Sequence, residues 1–211
     1  MTGQGRRLTR ADLAGDPLTV ARALLGVHLE AGPVTLRLTE VEAYWGDRDP
    51  GSHGYRGMTP RTEVMFGPPG QLYVYRSYGI HWCCNIVCGT KGECAAVLLR
   101  AGEVVAGGGI VAGRRPGVSP RDLARGPGRL TKALAITGDD NGAGVVGRGA
   151  PFVLRAPVNP IGDSQVLTGP RVGVSGPGGD ADTFPWRFWL EGERSVSAYR
   201  PGRPASALRR G

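Results

Sequence analysis

Lysine is nearly absent from this 211-residue chain: only Lys91 and Lys132 stand among 26 basic residues, and the rest are arginines. Those two side chains and the chain's first amine are the only groups able to form a Schiff base, so covalent catalysis of that kind has few candidates. Long hydrophobic runs are missing too. No stretch approaches the roughly 18 apolar residues of a membrane-spanning helix. Asp16, Pro17 and Arg22 interrupt the N-terminal apolar segment, so no secretory signal is expected there. Cysteine is present but without a Cys-x-x-Cys pair: Cys83, Cys84, Cys88 and Cys94 cluster at spacings that common zinc sites do not use. Reduced, buried thiols in a cytoplasmic chain are the expected state. The glycines at 107 to 109 lack the Lys-Ser/Thr that a phosphate-binding loop requires, and no Ser-His-Asp or Cys-His pattern emerges.

What is abundant is arginine, glycine and proline. The formal net charge of +8 points to an anionic partner such as nucleic acid, although enrichment in Arg, Gly, Ala and Pro together also follows from a GC-rich genome. With 40% hydrophobic and 21% charged residues the chain is globular, and 36 glycines and 17 prolines predict many turns. "DPLTVARALLG" predicts a helix with Asp16 as N-cap, Pro17 at the first position and Gly26 as the stop. "VHLE" and "VTLRLTEVEAY" predict two strands joined at Ala31-Gly32-Pro33. Residues 45 to 70 show no period, and so long a connection is expected to be functional or disordered. "QLYVYRSYGIHWCCNIV" reads as a hairpin turning at Tyr78-Gly79, "AAVLLRA" as a buried strand, and "RLTKALAITG" as a helix ending at Gly138. "PFVLRAP", "RVGV" and "PWRFWLEG" read as strands, the last with Trp186, Phe188 and Leu190 on one face.

Two features carry chemistry. In "VTLRLTEVEAY" the even positions run Val34, Leu36, Leu38 and then Glu40, Glu42 and Tyr44. One continuous strand would therefore change its core-facing side from aliphatic to carboxylate, with Glu40 and Glu42 about 6.5 to 7 Å apart along one face. Such acids either end a strand in solvent or stand in a cleft, where one is able to deprotonate water as a general base. His53, inside the long connection, is either incidental or part of the same site. The run from 104 to 118 is expected to be a mobile loop, and Arg114 and Arg115 there either face solvent or meet phosphates.

The segment "TEVEAYWGDRDPGSHGYRGMTPRTEVMFGPPGQLYVYRSYGIHWCCNIV" closely resembles the core of the alkyladenine (3-methyladenine) DNA glycosylase family. It holds, in order, Glu-x-Glu-Ala-Tyr, a downstream His, Thr-Pro-Arg, Met-Phe, Tyr-Val-Tyr-x-x-Tyr-Gly and an Asn. "VLLRA", "GPGRLTKALAI" and "RVGV" extend the resemblance over most of residues 16 to 200. The resemblance implies that Glu42 activates water for attack at the deoxyribose C1′ and that Arg100 positions the water and the carboxylate. It implies that Tyr44, His53 and Tyr75 surround an extruded base. Asn85 would stand at the pocket wall against the amino group of guanine, and Val172 would position the water or hold the sugar. Tyr78 would fill the gap left in the duplex. Three departures stand out: His81 follows Tyr78-Gly79-Ile80, Gly51-Ser52 precede His53 where small alanines are usual, and the Gly-rich run has no counterpart.

The expectation is thus a monofunctional base-excision glycosylase on one α+β domain. It would comprise a mixed or antiparallel curved sheet, a protruding β-hairpin, packed helices and long loops, with residues 1–15 and 201–211 as flexible ends. Its partner would be double-stranded DNA containing damaged purines. Arg61, Arg76, Arg114, Arg115 and Arg129 would contact phosphates, with no cofactor, no metal and no membrane. The scarcity of lysine favours direct hydrolysis to an abasic site over strand cleavage. A monomer in the cytoplasm, nucleoid-associated if bacterial, completes this reading. A non-catalytic damage sensor or minor-groove binder and a hydrolase of free nucleosides are the rivals.

Overall fold

The computed structural model describes residues 5–202. Eight strands form one antiparallel open sheet: β1 (His28–Ala31), β2 (Val34–Trp45), β3 (Leu72–Ser77), β4 (His81–Val87), β5 (Ala95–Ala106), β6 (Phe152–Arg155), β7 (Val166–Gly169) and β8 (Arg187–Leu190). The order is β3-β4-β5-β2-β1-β6. β2 forks on its outer edge, because Val34–Arg37 pair with β1 while Glu40–Glu42 pair with β8, and β7 extends β8. Helices α1 (Pro17–Leu24), α2 (Gly108–Arg114) and α3 (Pro127–Leu134) contribute to the main apolar core with Leu36, Leu38, Val41 and Leu99. The fold is α+β, as the sequence predicts. Among the described residues no helix is long and apolar enough to cross a membrane.

The central event in the sheet is a slip between β2 and β5. Leu38 pairs with Gly102, Glu40 with Ala101, and Val41 with Leu99. Thr39 is therefore an extra residue on β2, and Arg100 an extra residue on β5, a pair of offset bulges. Because side chains alternate with period two, one inserted residue moves every later side chain to the other face. The core side of β2 thus passes from Leu36 and Leu38 to Val41 and Ala43. Glu40 and Glu42 consequently leave the core-facing side expected from an unbroken strand and face the opposite side of the sheet.

Most predicted elements are present, and the differences have identifiable causes. α3 ends at Leu134, short of Gly138: Ala135 turns left-handed (φ 58°), and the Ile136 amide donates back to the Thr131 carbonyl as Ile136 folds into the core. "RVGV" is a turn, because Arg171 is drawn inward and Gly173 adopts a positive φ of 74°. β7 carries no sequence signal beyond a short apolar pair. Residues 104–118 hold the end of β5 and helix α2 where an irregular loop was expected. Gly107 is required there, since a Cβ would lie 2.6 Å from the Pro33 carbonyl oxygen. Of the expected flexible ends, residues 5–15 are tied to β6 by the Leu8 amide on the Leu154 carbonyl (2.8 Å) and the Ala156 amide on the Arg6 carbonyl (2.9 Å). Gly202 packs on Val174, while residues 1–4 and 203–211 lie outside the described residues.

α1 starts as its sequence dictates. The Asp16 carboxylate accepts from the Leu18 and Thr19 amides at 3.0 Å each, and Pro17 occupies the first turn, where no N–H is needed. Asp16→Ala is expected to lower stability by about 1 kcal/mol. Urea unfolding should show a lower midpoint with unchanged slope, and an unchanged midpoint would remove the cap from the account.

Candidate active site

Strand register lines up the floor of the site. Arg187 on β8 stands opposite Glu42, Glu42 opposite Leu98 on β5, Leu98 opposite Asn85 on β4, and Asn85 opposite Tyr73 on β3. This row underlies a cleft of about 1020 Å³, walled by the loops that follow β2 and β7.

The two acids divide their work. Glu40 is saturated: Arg100 Nε (3.0 Å), Arg187 Nε (2.7 Å), the Ser197 amide (2.6 Å) and the Ser197 hydroxyl (2.8 Å) all reach its oxygens. Glu42 Oε1 accepts the Val172 amide at 2.7 Å and lies 3.3 Å from Arg100 Nη1, while Oε2 accepts the Tyr44 hydroxyl at 2.8 Å. Glu42 is itself fully buried, and its partners Tyr44, Arg100 and Val172 form the cleft surface above it. Burial works against the Arg100 charge, but Glu42 and Glu40 outweigh it and hold its pKa above the ordinary value. Burial, reinforced by the Glu42 charge, pushes the Tyr44 phenol well up, so it stays protonated and donates. One acid is therefore structural, and the other stands at the cleft with donors only around it.

Aromatic rings form the wall. His53 meets Tyr75 edge-on (centroids 4.6 Å apart), and its Nδ1 bonds the Tyr73 hydroxyl at 3.0 Å. Tyr73 stacks on Tyr75 at 5.5 Å; it is buried in a small core cluster with Met65, Val87, Cys94 and Ala96 and also lines the cleft. Burial between these walls, and then the Arg61 charge, lowers the His53 pKa from 6.5 to about 4, so the imidazole is neutral at physiological pH. Asn85 is buried, lines the cleft, and donates from Nδ2 to the Tyr73 carbonyl at 3.1 Å. Burial also raises the pKa of the nearby Cys83 thiol, and all four cysteines are buried and unpaired. Among the described residues no group of three or more His, Cys, Asp or Glu is arranged to hold a metal ion.

The β3–β4 hairpin carries the rim. Tyr78 is 85% exposed with φ 50°, Gly79 follows at φ 67°, and the Ile80 amide closes the turn on the Ser77 carbonyl at 3.0 Å. Both central residues are left-handed, as in a type I′ turn, where Asn-Gly is the usual choice. A tyrosine there is strained, and strain of this kind persists where function holds it. Ile80, 69% exposed beside it, was not singled out from sequence. Of the candidate phosphate ligands, Arg61 and Arg76 line the cleft, as does His81. Arg129 lies on α3, two residues from the lining Pro127, and is 3.9 Å from Asp122. Arg114 and Arg115 do not line the cleft. Their Nη1 atoms hold the carbonyls of Ala133 and of Asp122 and Leu123.

The family model for methylpurine-DNA glycosylase matches residues 11–194. The chain belongs to that family. A protein of Frankia casuarinae, provisionally named 3-methyladenine DNA glycosylase, is 55% identical over 194 residues, covering 88% of this chain and 90% of that protein. Proteins of Nocardia farcinica and Streptomyces avermitilis carrying the same provisional name are 50% and 47% identical. They cover 93% of this chain each, and 94% and 93% of their own lengths. Family membership makes this chain a hydrolytic DNA glycosylase of DNA repair, with DNA as its substrate.

Several residues of this glycosylase site escaped the sequence reading. Arg187 had a usable signal, as the one basic residue in the alternating strand "PWRFWLEG". Arg171 and Ser197 had none, because their placement depends on loops folding back across the sheet. The unfolded chain protonates His53 near 6.5 and the folded chain only near 4. Its contribution to stability is therefore full above pH 6.5 and shrinks as pH falls from 6.5 to 4. An NMR titration of His53 should give a midpoint of about 4. Arg61→Ala should raise it only part of the way to 6.5, since burial is the larger cause. A wild-type midpoint near 6.5 would contradict the desolvated setting.

Proposed function

We propose that this glycosylase flips alkylated and deaminated purines out of duplex DNA and hydrolyses their N-glycosidic bond with water activated by Glu42, leaving an abasic site. The observation that carries this reading is the Glu42 carboxylate, held by Tyr44, Arg100 and the Val172 amide beneath an aromatic cleft whose rim bears an exposed, strained tyrosine. Glu42 takes a proton from water at the Arg100–Val172 edge, and the oxygen attacks C1′ as the base departs. Tyr44, His53 and Tyr75 stack on the extruded base, where stacking contributes roughly 1 to 3 kcal/mol. A neutral His53 admits a cationic alkylpurine that an imidazolium would repel. The rigid Asn85 side chain stands against the exocyclic amine of normal guanine. Such walls suit many shapes, so hypoxanthine, ethenoadenine, 3-methyladenine and 7-methylguanine all fit the substrate class.

Extruding a base costs a few kcal/mol. Tyr78 offsets part of this by occupying the vacancy from the minor groove. Arg61 and Arg76 track the phosphates along the cleft and Arg129 flanks it, whereas Arg114 and Arg115 are occupied within the fold. In this reading the enzyme acts as a monomer, in the cytoplasm with the DNA.

Single-turnover base release from duplexes bearing each of the four lesions tests the reading. Wild type should release them. Glu42→Gln should bind within a few-fold of wild type but release at least about 100-fold more slowly. Binding without release by the wild type would instead make the protein a damage sensor, and full activity in Glu42→Gln would remove the assigned base.

Tyr78→Asn separates the wedge from the hairpin. Asparagine tolerates the left-handed conformation, so the variant should be more stable by about 1 kcal/mol. Its release of paired lesions should fall, with a smaller loss on lesions already unpaired. Equal losses on both would count against the wedge.

A further inference from the structure

Arg171 is the largest fully buried side chain, and its ion pair with Asp49 is sealed from solvent at both ends. Nη1 donates to Asp49 Oδ2 (2.6 Å) and to the Ala43 carbonyl (2.9 Å). Nη2 donates to Asp49 Oδ1 and the Gly178 carbonyl, each at 2.6 Å. The guanidinium lies 4.5 Å from the centroid of Tyr44, 5.4 Å from Trp186 and 5.7 Å from Phe184. Asp49 also accepts the Gly51 amide at 2.8 Å, two residues before His53. The cluster thus joins three pieces of the cleft: the end of β2 with Tyr44, the loop leading to His53, and the turn whose Val172 amide binds Glu42.

Stability alone does not account for this choice. A desolvated ion pair is often no more stabilising than well-packed apolar side chains of equal volume. Arg171 Nε is, moreover, the one buried side-chain polar atom among the described residues without a partner. The packing is close enough to demand glycine on both sides: a Cβ on Gly51 would lie 2.6 Å from Arg171 Nη2, and one on Gly178 would lie 2.2 Å from the Gly51 nitrogen. A planar group held by four directed bonds and three rings supplies orientation.

We propose that Arg171, with Asp49 as its counter-ion, is a positioning residue for base excision: it braces the Tyr44 ring from behind and fixes the Val172 amide on Glu42. This rests on Glu42 being the general base. Misplacing reacting groups by about 1 Å costs on the order of 100-fold in rate. The loss should fall on the chemical step more than on DNA binding. It should also depend on the lesion. A cationic base such as 7-methylguanine departs with less help from the attacking water than neutral hypoxanthine does.

Arg171→Lys keeps the charge but loses the planar fork, and Asp49→Asn keeps the volume but loses the counter-charge. Lesion-duplex affinity should stay within about threefold of wild type, while single-turnover release of hypoxanthine falls about 10- to 100-fold. Release of 7-methylguanine should fall several-fold less, with every rate corrected for the active fraction by titration with an abasic-site analogue duplex. A merely structural role would reduce both lesions equally. Wild-type rates in a folded variant, or equal losses on both lesions, overturn the proposal. Should both variants fail to fold, Phe184→Leu loosens one ring around Arg171 and leaves the ion pair intact. The same lesion-dependent loss at smaller size is then expected, and unchanged or equal rates overturn the proposal. Absence of any release by the wild type would instead overturn the glycosylase reading on which it rests.

Discussion

Inserting Thr39 into β2, with Arg100 as the offsetting insertion in β5, exchanges the two faces of the longest strand pair halfway along its length. Before the slip β2 supplies aliphatic side chains to the helix-covered core. After it, Val41 and Ala43 take over that duty from odd positions, and Glu40 and Glu42 turn toward the cleft. The same displacement sets Arg100 beside both acids. Without it a continuous strand would bury two carboxylates among leucines, which is untenable without partners. The cleft, its acid pair and its arginine are therefore consequences of one local irregularity in an otherwise regular sheet.

The charges around that irregularity are matched. Glu40 and Glu42 face Arg100 and Arg187, and a few ångströms away Arg171 faces Asp49, all six groups being buried. Removing one member leaves an unpaired buried charge, a change that costs more than the intact pair contributes. The network resists adjustment, and under the proposed mechanism that resistance holds the carboxylate and its water in one geometry against the anomeric carbon. The tyrosine at the hairpin tip stores strain in a different way, through a backbone conformation that its side chain disfavours.

Local rules made much of this legible in the sequence. Asp16-Pro17 and Gly26 bracket the first helix, Gly32-Pro33 marks the first hairpin turn, and Tyr78-Gly79 marks the second. Each of these depends on a few adjacent residues. The fork in β2, the bulge at Thr39, the turn at "RVGV" and the strap over Glu40 formed by the segment at Ser197 depend on partners far away in the chain, and no local period records them. That is why Glu40 and Glu42 looked alike in sequence and differ in space. It is also why the sequence does not mark Tyr73, a core residue whose hydroxyl turns to His53.

The strap has a consequence for how the protein is made. Glu40 waits for Arg187 and Ser197, which follow it by 147 and 157 residues. At about 5 to 20 residues per second, a ribosome adds that much chain in roughly 10 to 30 s. Until then the outer edge of β2 beyond Thr39 has no partner, and the acid that anchors Arg100 has no counter-charge beyond Arg100 itself. The nascent polypeptide thus carries Glu40 and Glu42 in an unassembled setting for most of its synthesis. The centre is complete only when the last strand and the segment behind it arrive.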